Sequence, residues 1–411
     1  MKTRWMAAAL LLVPAALDAQ VQADRELLAE IRQIRAIDNH SHIPPFAALP
    51  ETTAARDPLG AAEFPYPVRL RVDSPEWPGV WRALYGAPVS DPHDVLRRKE
   101  TLIRERGESH IAWMLDRVAI DVALNNAPAL GAGQTASRFK WVPDTNALLY
   151  PFGNEEANAG ESAAGRPATL DAYEATIAGG VNLWKQGGAV ALKLSVAYSR
   201  SLDFSDVSQA DASRIYAAAA AGGAAPGAAD YKALQDYLFR VLARHAGAAG
   251  LVMHIHAGIG ADPWFAINGS NPLLLEQAIS DETLRKTRFV LIHGGWPFDR
   301  QAGVMLIKPN VYADFSAQTF LRSARALSET LRAWLEWYPD KVLFGTDVYP
   351  EPGTPLADWE EKLYLANDTA REALAIALTG MMNDGQITRA RALQLARMVL
   401  RENAMQLYNL K

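Results

Sequence analysis

Eight histidines are spread over a 411-residue chain, and five of them, His40, His42, His254, His256 and His293, fall toward the ends of short apolar runs. In "AIDNHSHIPP" (36–45) His40 and His42 stand one residue apart. On an extended strand alternate side chains share a face, so the two would point together at whatever that face encloses. "GLVMHIHAG" (250–258) repeats the spacing with His254 and His256, "RFVLIHGG" (288–295) adds His293, and "KVLFGTD" (341–347) ends in Asp347. A carboxylate in such a place is costly to bury unless a cation or hydrogen-bond donors meet it. Imidazole and carboxylate donors suit zinc first, with manganese or iron where the geometry allows. The chain holds no cysteine, so His, Asp, Glu or Lys must supply the ligands.

Lys193, in "AVALKLSVAY" (189–198), poses a separate question, because an ammonium among apolar neighbours needs a partner or must be neutral. It reads as a salt bridge, as a contact to a substrate carboxylate, or as a neutral amine that adds carbon dioxide to form a carbamate bridging two metals.

What positions these residues is a recurring pattern. Apolar runs at 36–42, 118–124, 140–150, 189–198, 250–258, 288–295, 310–316 and 341–347 alternate with helical stretches. Leu27, Leu28, Ile31 and Ile34 give a leading amphipathic helix; "DYKALQDYLFRVLARHA" and "NPLLLEQAISDETL" read as helices as well. Nearly continuous apolar strands alternating with helices predict an α/β fold, a (β/α)8 TIM barrel, whose C-terminal strand ends converge on one cavity. An open doubly wound sheet would alternate too, but no Gly-rich dinucleotide fingerprint follows the first strand. Two connections are long: a helical, cap-like insertion after strand 1 (43–117) and a loop or lid insertion after strand 3 (151–187).

Composition narrows the class. A net charge of −5 with no dense basic block excludes a nucleic-acid footprint. Lys2 and Arg4 precede a short apolar stretch interrupted by Pro14, which reads as a secretory signal peptide (1–19) cleaved near Ala19 or Ala23. An uncleaved anchor is the alternative, but the stretch is shorter than the ~20 residues a spanning helix needs. The expected mature protein is exported, periplasmic or secreted, free of the membrane, and acts on a small-molecule substrate; homo-oligomers fit the fold by analogy.

The ordered set "DNHSH", "LKLS", "HIHAG", "LIHGG" and "FGTD", on strands one, four, five, six and eight, resembles the amidohydrolase superfamily, in its amidohydrolase-related branch of lactonases, other hydrolases and non-oxidative decarboxylases. The resemblance spans roughly residues 24–411 as a single barrel domain. It implies a divalent metal, zinc by default and one or two per chain, held by His40, His42, Asp347 and His256. In two-metal members the His293 position is a ligand and the Lys193 position is carboxylated; in one-metal members the His293 position serves as acid or base. His254 and Asp38 would support the ligands from behind. Asp347 would take a proton from metal-activated water and pass it to the leaving group of an amide, ester or lactone carrying a carboxylate. Decarboxylation is the alternative reaction, and a barrel that binds without catalysis a remote one. Arg200, Tyr198, Trp296 and Tyr349, just past strand ends, are candidate substrate contacts.

Overall fold

A computed structural model describes residues 21–49, 57–60, 67–86, 91–153, 167–222, 224–260, 264–351 and 353–410. The expected signal peptide, 1–19, lies outside them. Each apolar run supplies a strand: β1 Ala36–Ser41, β2 Ile120–Asn126, β3 Phe139–Val142, β4 Ala191–Leu194, β5 Val252–His256, β6 Phe289–Ile292, β7 Val311–Asp314 and β8 Val342–Leu343. Every strand pairing is parallel, within a three-stranded sheet β1-β2-β3 and a five-stranded sheet β4 to β8.

Backbone hydrogen bonds outside the strands bridge both seams between these sheets. At β3/β4, Lys193 N donates to Pro143 O and Thr145 N to Lys193 O, each at 2.8 Å. At β8/β1, Asn39 N donates to Phe344 O (2.8 Å), Asp347 N to His40 O (2.7 Å) and His42 N to Val348 O (2.7 Å). The result is an eight-stranded α/β barrel. Just past β8, Gly345 lies hard against β7, where a Cβ would stand 2.9 Å from Ser316 Cβ.

Helices sheathe the ring: α1 Arg25–Gln33, α2 Trp77–Tyr85, α3 Pro92–Arg106, α4 Ser109–Arg117, α5 Leu170–Gln186, α6 Gln209–Gly222, α7 Ala228–Ala248, α8 Glu276–Ile279, α9 Asp299–Met305, α10 Gln318–Leu321, α11 Ala324–Leu335, α12 Trp359–Asn383, α13 Arg389–Arg397 and α14 Asn403–Tyr408. One apolar core lies between strands and helices. A second fills the ring itself, where Ile37, Ala191, Val252 and Val290, near the starts of their strands, pack with Ala404, Leu407 and Tyr408 of α14. Among the described residues no helix is long and apolar enough to cross a membrane.

One expectation changes. Residues 271–284 are not one helix: Asn271 and Asp281 accept hydrogen bonds from Leu273 N and Thr283 N, starting short turns that compete with helix, so only α8 remains α-helical. Within the 151–187 insertion, α5 forms the crossover to β4, and residues 154–166 lie outside the described residues. The insertion after β1 is fastened to α12 and the segment before it: Trp81 Nε1 donates to Leu356 O (2.7 Å), Tyr85 OH to Glu361 (2.5 Å), and Lys99 Nζ lies 2.9 Å from Glu361 and 3.0 Å from Glu360.

Candidate active site

Strand ends bring His40, His42 and Asp347 together, with one ligand atom of each within 4.8 Å of the others. His40 Nε2 is 3.1 Å and His42 Nε2 3.4 Å from Asp347 Oδ1. His42 is oriented from behind, since its Nδ1 lies 3.1 Å from the Asn126 carbonyl. A carbonyl only accepts, so Nδ1 carries the proton and Nε2 keeps its lone pair toward Asp347, the arrangement of a metal-binding imidazole. Lys193 Nζ, almost fully buried, stands 3.0 Å from His40 Nε2.

On the neighbouring strands His293 Nε2 and His256 Nδ1 are 3.1 Å apart, and His293 Nδ1 is 3.7 Å from Asp347 Oδ2. The His40 and His293 rings stand 5.5 Å apart, so five of the six proposed metal-binding side chains surround Asp347 in one space. His254 sits deeper, its Nε2 2.6 Å from Tyr408 OH. Asp38 touches no imidazole: its carboxylate takes hydrogen bonds from His40 N (3.2 Å), Thr346 N (2.9 Å) and Thr346 Oγ1 (2.5 Å), tying β1 to the segment after β8.

His293 and Asp347 both lie beyond the last paired residue of their strands, with φ of 66° and 61°. Left-handed backbone at a non-glycine residue costs about 1–3 kcal/mol and persists where surroundings overdetermine it. Here they do: His293 N donates to Asp314 Oδ1 (2.8 Å) while its carbonyl accepts from Gln318 Nε2 (2.9 Å), and Asp347 N is held by His40 O.

The electrostatics follow from burial. Burial opposes ionisation of Asp347, but its histidine neighbours, His293 first and then His40 and His42, prevail and hold its carboxyl well below the usual range. Burial, reinforced by Lys193, drives His40 well down, and burial brings His293 to about 4 and His254 to about 3. The Lys193 ammonium is also pushed down by burial, against the pull of Asp347, Asp144 and Asp314.

The candidate substrate contacts divide. The Tyr198 ring lies 4.6 Å from that of His256 and 5.1 Å from Phe265, at the mouth. The Tyr349 ring lies 6.3 Å from that of Phe320 and 4.2 Å from Lys362 Nζ, and burial and then the Asp347 charge raise its hydroxyl. Trp296 is turned toward Arg322, 5.9 Å from its ring. Arg200 is corrected: its guanidinium bonds Asp236 (2.6 Å), Gln235 (3.1 Å) and the carbonyls of Ser201 and Asp203, and stacks on Phe204, so it braces α7. Charge next to a strand end was a poor guide because the guanidinium reaches back to the neighbouring helix. Asp314 and Ser316 went unremarked, although "NVYADFS" ends a strand in an aspartate just as "FGTD" does.

Barrel and site together define a class, that of metal-dependent hydrolases built on strand-end histidines and an aspartate. Residues 221–410, which carry β5 to β8 with His254, His256, His293 and Asp347, match the family model described as Amidohydrolase. The resemblance seen in the motifs is borne out, and the chain is an enzyme of the amidohydrolase type. Protein fluG of Emericella nidulans is 29% identical over 233 residues, 54% of this chain; the chain spans only 26% of that relative's length. A Lactobacillus casei protein described as a metal-dependent hydrolase superposes with a TM-score of 0.65 at 18% identity, covering 94% of this chain and 98% of its own. Glucuronate isomerase of Caulobacter crescentus gives 0.66 at 13%, covering 94% of each. At such identities these likenesses show the fold.

Proposed function

We propose that the chain is a zinc-dependent hydrolase that cleaves a C–N or C–O bond in an amide, ester or lactone of a small substrate, after export from the cytoplasm. The observation that carries this reading is the convergence of His40, His42 and Asp347, with Lys193 Nζ 3.0 Å from His40 Nε2. The donor set fits a divalent ion: the imidazoles of His40 and His42, the second oriented by a carbonyl, and a carboxylate held ionised. The ion would be held by His40, His42 and Asp347, with His256, His293 and Lys193 around it, and would supply acidified water and a polarised substrate carbonyl.

The chain's own residues supply the rest. Asp347, ionised at neutral pH, accepts a proton at a carboxylate oxygen and delivers it to the leaving nitrogen or oxygen. Lys193, its ammonium destabilised by burial, supports the neutral amine that carbon dioxide requires, forming a carbamate with release of one proton. Tyr198 and Tyr349 flank the mouth and orient the substrate. With Arg200 committed to Asp236, a substrate carboxylate has no clamp at that position. Decarboxylation, the alternative reaction, needs a protonated donor at the substrate carbon, and burial lowers His293 from its ordinary value.

Metal analysis of protein purified with bicarbonate, for wild type and Lys193→Ala, together with turnover on amides, esters and lactones, tests the reading. Two ions falling to one or none in the variant, with hydrolysis by wild type, supports a bridging carbamate. One ion in both leaves a one-metal hydrolase. An ion-free wild-type protein, or carbon dioxide released from aromatic acids without hydrolysis, overturns the proposal.

A further inference from the structure

Behind the histidines runs a buried chain of hydrogen bonds whose polarity has one source. Asp314, fully buried at the end of β7, meets four donors: His293 N (2.8 Å), Ser316 N (3.2 Å) and Ser316 Oγ (2.7 Å) on Oδ1, and Asn39 Nδ2 (2.7 Å) on Oδ2. Two arms leave it. On the first, the Ser316 hydroxyl has a single proton and gives it to Asp314, so the contact from Ser316 Oγ to His293 Nδ1, at 2.9 Å, must be donated by the imidazole. His293 is thereby the Nδ1–H tautomer, and its Nε2 lone pair faces His256 Nδ1 at 3.1 Å.

On the second arm, Asn39 turns its amide N–H to Asp314, which leaves Oδ1 to accept from Tyr408 OH at 2.5 Å. The phenol proton is then committed, and His254 Nε2, 2.6 Å away, must be the donor to the phenol oxygen. His254 is thereby the Nε2–H tautomer, and its bare Nδ1 has no hydrogen-bond partner among the described residues.

We infer that Asp314 is a positioning residue that sets the tautomers of two site histidines from one carboxylate, His293 through Ser316 and His254 through Asn39 and Tyr408. This deepens the proposed function, since it rests on His293 presenting Nε2 to the reacting space. It assigns to β7 a role in the site, joining the strands that carry the histidines and Asp347.

The test is Asp314→Asn. An amide must offer N–H on one side; facing Ser316, it makes the hydroxyl donate to His293 Nδ1 and moves the imidazole proton to Nε2. In 15N-histidine spectra of the purified enzyme, with signals assigned through His293→Asn and His254→Gln, wild type is expected to show His293 protonated at Nδ1 and His254 at Nε2. Asp314→Asn is expected to lose at least one of these states and to weaken zinc retention against a chelator about 10- to 100-fold. Should Asp314→Asn fail to fold, Ser316→Ala is expected to lose the His293 preference and Ser316→Thr, which keeps the hydroxyl, to restore it. Wild-type tautomers retained in Asp314→Asn, or in Ser316→Ala, overturn the inference. Absence of hydrolysis by wild type with the tautomers as stated would sink the hydrolase reading alone.

Discussion

Removing one oxygen from Tyr408 isolates the energetic worth of the buried network. Tyr408→Phe keeps the ring that packs with Ile37, Val252 and Val290, but leaves the His254 Nε2–H without its 2.6 Å acceptor and Asn39 Oδ1 without its 2.5 Å donor. Tyr408, His254 and Asn39 are all buried, so water does not readily replace the phenol. Stranding one buried polar group costs about 1–3 kcal/mol, so the two together should cost about 2–6 kcal/mol. The assay is equilibrium unfolding in urea, where the midpoint should fall at unchanged slope. A double variant, Tyr408→Phe with His254→Leu, should lose less than the sum of the two singles, because it removes donor and acceptor together. A loss below about 1 kcal/mol in Tyr408→Phe, with strict additivity in the double variant, would refute the account of a dry and fully committed chain.

Asp347→Asn keeps the shape but abolishes the ionised acceptor, and kcat should fall by about 100-fold or more while circular dichroism is unchanged. Gly294→Ala combines a φ of +54° with a Cβ that would stand 2.2 Å from Trp334 Cη2 and 2.7 Å from Asp314 O. Backbone strain and overpacking should together cost about 2–6 kcal/mol by urea unfolding. His254 gives a pH prediction. Its folded value, lowered by burial from 6.5 to about 3, means the unfolded chain binds protons first, so its stabilisation is full above pH 6.5 and is lost as pH falls toward 3. That loss is on the order of 5 kcal/mol; Tm against pH for wild type and His254→Gln should show a shallower acid decline in the variant.

Much of this architecture is legible in apolar patterning. Eight runs became eight strands because parallel strands covered on both sides must be apolar almost throughout, and that signal is hard to mimic. The grouping of His40, His42, His256, His293 and Asp347 followed from the same regularity, since a barrel gathers its strand ends. Three things were not legible. The left-handed backbone at His293 and Asp347 is imposed by Asp314, Gln318 and His40, partners distant in sequence. The breaks in 271–284 depend on side-chain caps that outcompeted a plausible apolar period. The reach of Tyr408 from the closing helix to His254 is a tertiary contact that no local spacing announces.

The seam between β8 and β1 has a consequence for when the enzyme comes into being. His40 and Asp347 are joined there by a backbone hydrogen bond, although one stands on the first strand of the barrel and the other just past its last. Until that seam closes, no part of the chain presents both imidazoles and the carboxylate to a single ion. Growing or still extended chains therefore lack the complete donor set, and any ion that all three side chains hold together would be taken up only after the barrel closes.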